Sequence, residues 1–303
     1  MNYNVLSRIG GGNYTTSLKG IAIVIIILCH TMGCFTRVFT PLGGIGVAMF
    51  LILSGYGLNE SFKRNGVKGF WVKRFSRVWI PYFIAVTLVW LFWETRPWQE
   101  YLLDICCWKT SYWYIGYMVK CYIIFWFTAR FIPQYKSWVM LAIGFSTLFY
   151  LHGTQGEQGF SFVTGVLISE KGKKIDEHLR VSLKWVVLLF IIAVSLLALK
   201  QSSIYRAIEN DILINLVQAP MKWTFAMGII LGLAYCKPAI KSKFLLLSGV
   251  ISYELYLVHY PFFSLIDGSP LRFVLLWIFA YVGSYLFYLL NTYISGQIKK
   301  IKN

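Results

Sequence analysis

Ten stretches of this chain are predominantly apolar over a dozen residues or more: 18–36, 43–62, 80–95, 111–130, 137–151, 158–169, 183–199, 213–236, 243–265 and 271–294. An α-helix needs about 20 apolar residues to cross about 30 Å of hydrocarbon, and fewer where neighbouring helices shelter it. Inside a bilayer the backbone must satisfy its own hydrogen bonds, so such runs read as spanning helices. They take up most of a 303-residue chain in which 57% of residues are hydrophobic and 14% charged. A water-soluble domain of this size has no interior that would hold so much apolar surface. The expected fold is an all-α integral membrane protein, a single bundle of about ten transmembrane helices. No repeat or low-complexity linker divides it, so residues 1–303 read as one domain with no appended soluble domain. The polar opening, with "RIGGGNYTT", reads as the approach to a first span rather than as a cleaved leader.

Charge orients the bundle. The chain carries 29 Lys and Arg against 12 Asp and Glu, a net +17. With ten spans both termini share a side, and 21 of the basic residues fall on that side, six on the other, with Lys120 and Lys222 inside spans. Basic loops collect on the cytoplasmic face, so both termini are expected there. This accounts for the basic excess without nucleic acid, and the lipid bilayer is the expected surrounding. The 12 Trp and 20 Tyr suit membrane interfaces. The six cysteines, at 29, 34, 106, 107, 121 and 236, lack zinc-type spacing and read as small apolar fillers. No metal site is expected.

Ionisable groups in hydrocarbon are expensive, so each is a candidate for function. In "SLKGIAIVIIILCHTMGCF", Lys19 and His30 are eleven residues apart. At about 100° per residue they share a helix face, about 16 Å apart along the axis. With Lys19 at the cytoplasmic surface, His30 is expected near mid-depth. A neutral imidazole is cheaper to bury than an ion and accepts a proton. The second span carries "GVAMFLILSGYGLNESF", with Ser54 as a hydrogen-bonding candidate and Gly55 and Gly57 as points of close helix approach. The segment "VKGFWVKRFSRVWIPYF" alternates basic and apolar residues as an interfacial helix does. Within it Arg74 and Arg77, three apart, are placed to grip one anion or to mark topology at lipid headgroups. In "GVISYELYLVHYPFF", Ser252, Tyr256 and His259 share a face, and Pro261 should bend the chain beyond it. Glu254 points elsewhere and needs a partner or a proton, with Lys120 and Lys222 as candidate partners.

These pieces, in this order, resemble the acyltransferase type 3 family of membrane-integral, acyl-CoA-dependent sugar O-acyltransferases. The family's first span has Arg or Lys, ten residues, then His, here Lys19 and His30. Its "FFVLSG(F/Y)" signature corresponds to "MFLILSGY" at 49–56. Its Arg, two residues, Arg corresponds to Arg74 and Arg77. The start of its fourth span near "WYL" corresponds to "SYWYIGYM" at 111–118, and "ISYxxYLxHxP" to "ISYELYLVHYP" at 251–261. The chain departs where the family often has "LDGLRG": here "TTSLKG" puts Thr16 for the acid and Lys19 for the arginine, keeping the charge but not the bidentate geometry.

The resemblance implies a multi-pass protein of a bacterial plasma membrane that moves an acyl group, expected to be acetyl, from acyl-CoA to a hydroxyl of a cell-surface glycan or lipid-linked saccharide. Acyl-CoA (acetyl-CoA) would be a co-substrate, with no permanently bound cofactor. His30 would be the base, acting on the acceptor directly or as a covalent relay, and Lys19, the other catalytic candidate, would steady the donor or the tilt of the first span. Arg74 and Arg77 would bind donor phosphates. Ser54, Ser252, Tyr256, His259 and Glu254 would shape the cavity or position groups. Two other readings are a secondary transporter or sugar-lipid flippase, which buried Lys120, Lys222 and Glu254 would suit, and a catalytically inactive membrane sensor.

Overall fold

The computed structural model describes residues 5–33, 35–94, 96–179, 181–236, 240, 242–265 and 269–302. All regular structure among them is helical. The principal helices are α1 (Gly12–Met32), α2 (Thr40–Asn65), α3 (Phe70–Phe92), α4 (Trp98–Ile105), α5 (Trp113–Phe131), α6 (Lys136–Tyr150), α7 (Ser161–Leu179), α8 (Leu183–Gln201), α9 (Asp211–Cys236), α10 (Lys243–Val250), α11 (Ser252–His259) and α12 (Pro270–Lys302).

Among the described residues, six helices are long and apolar enough to cross a membrane: α1, α2, α3, α8, α9 and α12. The other four apolar runs also form helices, but of another character. Helix α5 is rich in Tyr and Trp and carries Lys120, and α6 has 15 residues. Helix α7 turns polar in its second half, and the ninth run is broken at Ile251 into α10 and α11. On α8 and α12, large apolar side chains such as Ile191, Val194, Ile278 and Val282 face outward, as lipid-facing surfaces do.

Two boundaries differ from the sequence expectation, each for a physical reason. Helix α1 starts at Gly12 rather than residue 18, because its polar first turns pack inside the bundle, where Tyr14 and Ser17 are buried. His30 therefore lies two residues from the helix end, and Lys19 two turns inside the helix. Next, the basic segment is no separate surface helix. It opens α3, which runs unbroken from Phe70 to Phe92 through a π-turn at Phe75–Trp79. Gly66 and Gly69, with φ of 56° and 65°, make the left-handed bends that reverse the chain before it. Beyond α3, Trp98–Ile105 form the short α4, tucked against it. The Tyr82 hydroxyl donates to the Asp104 carboxylate (2.5 Å), and the Trp79 indole donates to the Ile105 carbonyl (2.9 Å).

Small residues set the packing. Helix α1 packs on α2 and α10, α2 on α7 and α9, α8 on α9, and α11 on α12. A Cβ on Gly20 would stand 2.0 Å from the Leu245 carbonyl oxygen, and one on Gly249 would stand 1.8 Å from that of Thr16. Gly55 and Gly165 form the same reciprocal contact between α2 and α7, at 2.1 Å from the Phe162 oxygen and 1.9 Å from the Ile52 oxygen. Backbones this close exclude any side chain. Gly57, expected to serve likewise, has nothing within 4 Å of its Cβ position. Cys29, Cys106, Cys107 and Cys121 are free thiols; Cys34 and the Cys236 side chain lie outside the described residues.

Candidate active site

Two cavities enter the bundle from opposite ends and share one wall residue, Tyr256. The larger, about 580 Å³, lies at the end where α1, α8 and α11 finish and α2, α5, α7 and α9 begin. His30, Tyr112, Trp113, Tyr256 and His259 line it. The smaller, about 180 Å³, is lined by Lys19, Ser54, Arg77, Tyr114, Ser252 and Tyr256. The stripe expected on α1 is therefore real, and its two ionisable groups look into different cavities. The Tyr114 and Tyr256 rings meet edge to face at 5.2 Å in the partition between them.

His30 is exposed to the large cavity, and His259 behind it is 1% exposed. Their rings stack at 5.3 Å with 16° between planes, and Phe263 abuts both edge-on. Nδ1 of His30 is 3.1 Å from Nε2 of His259, and Nδ1 of His259 is 2.8 Å from the Leu255 carbonyl oxygen. A carbonyl only accepts, so His259 carries its proton on Nδ1. In the neutral pair its Nε2 then accepts from Nδ1–H of His30, and the lone pair of His30 resides on Nε2. One backbone carbonyl thus fixes the tautomer of a histidine on another helix. Helix α11 is itself held in place: the Tyr112 hydroxyl donates to the Leu257 carbonyl (2.9 Å), and the Tyr253 hydroxyl to that of Val78 in the π-turn (2.7 Å).

The remaining expected residues divide. Ser54 and Ser252 share the small cavity with Lys19. Arg77 opens onto it too, while Arg74 borders a neighbouring pocket and lies over the rings of Phe70 (5.6 Å) and Tyr122 (5.3 Å). The wide π-turn separates two side chains that regular α spacing would set side by side. Glu254 is buried away from both cavities and accepts from the Asn291 amide at 3.1 Å. Neither candidate lysine is its partner: Lys120 donates to Gln155 (2.9 Å), and Lys222 is ion-paired with Glu157. Glu157, Gln158 and Lys200 also line the large cavity and were not singled out from sequence. An acid in "GTQGEQG", needing a buried base, was the available signal for Glu157.

A family model described as an acyltransferase domain, the type 3 acyltransferase model, matches residues 14–294, nearly the whole chain. The chain belongs to the acyltransferase type 3 family. No curated protein and no solved structure matches it. The match runs through both cavities, from Lys19 on α1 to Tyr256 and His259 on α11, so this acyltransferase has its paired histidines and its basic pocket inside the family domain.

Proposed function

We propose that this membrane acyltransferase moves an acetyl group from acetyl-CoA to a hydroxyl of a cell-surface glycan or lipid-linked saccharide. The observation that carries the reading is the oriented histidine pair facing a cavity large enough for a sugar, one tyrosine away from a basic pocket at the other end. Ten spans with cytoplasmic termini in a bacterial plasma membrane give each end its substrate. The Lys19 and Arg77 end then faces the cytosol, where CoA resides, and the His30 end faces outward.

Chemically, the donor is an activated thioester and the acceptor a weak nucleophile, so the task is deprotonation. In the direct route Nε2 of His30 takes the hydroxyl proton as the oxygen attacks the thioester carbonyl. The carbon–sulfur bond breaks, and the proton passes to the departing CoA thiolate. In the relay route Nε2 attacks the thioester carbonyl and CoA thiolate departs; the acceptor hydroxyl then attacks the acyl group, the acyl–Nε2 bond breaks, and the hydroxyl proton passes through Nε2 to the thiolate. His259 serves both by holding His30 in the tautomer with its lone pair on Nε2. Arg77, supported by Lys19, binds donor phosphate, and Arg74 steadies the turn. The Tyr256, Ser252 and Ser54 hydroxyls border the path of the thioester arm and suit stabilisation of the developing oxyanion. Glu254 contributes through the seating of α11 against α12.

The test is transfer of labelled acetyl from acetyl-CoA by the purified full chain to glycans, read as alkali-labile ester. Ester formation that is lost in His30→Ala is the expected result. Uptake of glycan into vesicles without ester formation would instead indicate a transporter.

A further inference from the structure

We propose that the acceptor of this acyltransferase is an anionic saccharide, recognised by Lys200 beside the Lys222–Glu157 pair. This rests on the acyl-transfer reading above and names the acceptor class.

The large cavity is lined by two lysines and one carboxylate. Lys222 is 6% exposed and its charge is answered by Glu157, also 6% exposed. The site is built around this lysine. A Cβ on Gly44 would stand 2.4 Å from Lys222 Cε, so any larger residue there would push the lysine side chain from its present place. The Gln158 amide donates to the Gly44 carbonyl at 3.0 Å and holds that stretch of α2 in place. Lys200, half-buried at the last turn of α8, is different. Its ammonium donates to the neutral Gln218 amide oxygen at 2.9 Å, and no carboxylate lies within ion-pair distance among the described residues. Gln218 and Lys222 are one turn apart on α9, so both ammonium groups are anchored along one side of that helix, about 6 Å apart in rise.

The lining thus carries one positive charge more than it balances. Low-dielectric walls strengthen the field of such a charge and raise the local concentration of anions. The half-buried Trp113 and Tyr260 line the same cavity, and aromatic side chains with an apolar body and a polar tip suit a sugar ring. A uronate-type carboxylate and a sugar phosphate share the chemistry that Lys200 would read: an anionic oxygen near the hydroxyl that accepts the acyl group.

The experiment uses the purified full chain and the surface glycan of the cell that makes it, in three preparations: untreated, carboxyl-reduced, and phosphatase-treated. Binding is measured by equilibrium dialysis of labelled glycan, and transfer from acetyl-CoA in parallel. The expected result is that one treatment lowers kcat/KM about tenfold or more, as loss of a charged hydrogen bond does. Carboxyl reduction would identify a carboxylate, and phosphatase a phosphate. Lys200→Gln should bring the ratio of untreated to treated glycan close to one, and Lys200→Arg should restore the preference. Equal use of all three preparations by the unmodified chain would overturn the proposal. So would loss of acetyl-CoA binding, rather than glycan binding, in Lys200→Gln. Charge-dependent glycan binding without transfer to any preparation would refute the acyltransferase reading while upholding the anion site; no charge-dependent binding would refute the anion site itself.

Discussion

His30 and His259 stand 229 positions apart in sequence and 3.1 Å apart in space, Nδ1 to Nε2, with the outer nitrogen of His259 committed to a backbone carbonyl. The pair therefore has a direction: the carbonyl orients His259, His259 orients His30, and His30 faces the cavity. His259→Leu removes the acceptor for Nδ1–H of His30 while keeping a similar apolar volume. It is expected to lower kcat by about 10²-fold with little change in acyl-CoA KM, because a misoriented tautomer impairs the base rather than donor binding. Steady-state kinetics on the purified variant are the check; a kcat close to that of the unmodified chain would mean that His30 keeps its orientation without its neighbour.

The two arginines of α3 are expected to behave differently. Arg77→Ala should raise acyl-CoA KM by about tenfold or more, the range for a desolvated charge-assisted hydrogen bond. Arg74 lies over Phe70 and Tyr122, so Arg74→Ala should chiefly lower the unfolding temperature. Donor titrations and thermal unfolding in the same detergent separate the two effects. Equal KM shifts from both variants would restore a shared anion grip.

The Lys222–Glu157 pair is buried on both sides. Lys222→Met or Glu157→Leu alone should cost about 3–5 kcal/mol of stability by stranding one charge, and the double variant should recover most of it. A double-mutant cycle by thermal unfolding decides this; additive losses would show that the two side chains are not coupled.

Gly55→Val should prevent assembly, since its Cβ position is 2.1 Å from the Phe162 oxygen, whereas Gly57→Val should be tolerated. Size-exclusion profiles after membrane extraction provide the comparison. A monodisperse Gly55→Val protein would show that α2 and α7 separate more readily than their packing implies.

Hydropathy reads the membrane class and the helical fold because a bilayer leaves few alternatives to an apolar helix. Spacing within one helix places Lys19 and His30 on one inward stripe, and Ser252 and Tyr256 on another. What spacing along a chain does not hold is the pairing between helices. The contact of His30 with His259 depends on the seating of α11, which starts from backbone approach at Gly20 and Gly249. Glu254 meets an amide rather than a lysine, because Asn291 on the neighbouring α12 lies nearer than either cation. Helix α1 begins six residues early because its first turns, with Tyr14 and Ser17 buried, pack inside a bundle that a hydropathy window treats as water-facing. The spread of Arg74 and Arg77 comes from a π-turn, which no periodicity in "FSRVW" announces.

The most direct measurement is the rate of acetyl transfer by His30→Ala, made at an unfolding temperature matched to the unmodified chain and with acyl-CoA binding intact. Alanine is at home in a membrane helix and removes a polar group from the cavity wall, so the fold should persist. Loss of a general base should lower the rate by roughly 10²–10⁴-fold, and loss of a covalent relay by more. Turnover within a few-fold of the unmodified chain would contradict the assignment of His30 as the residue that activates the acceptor.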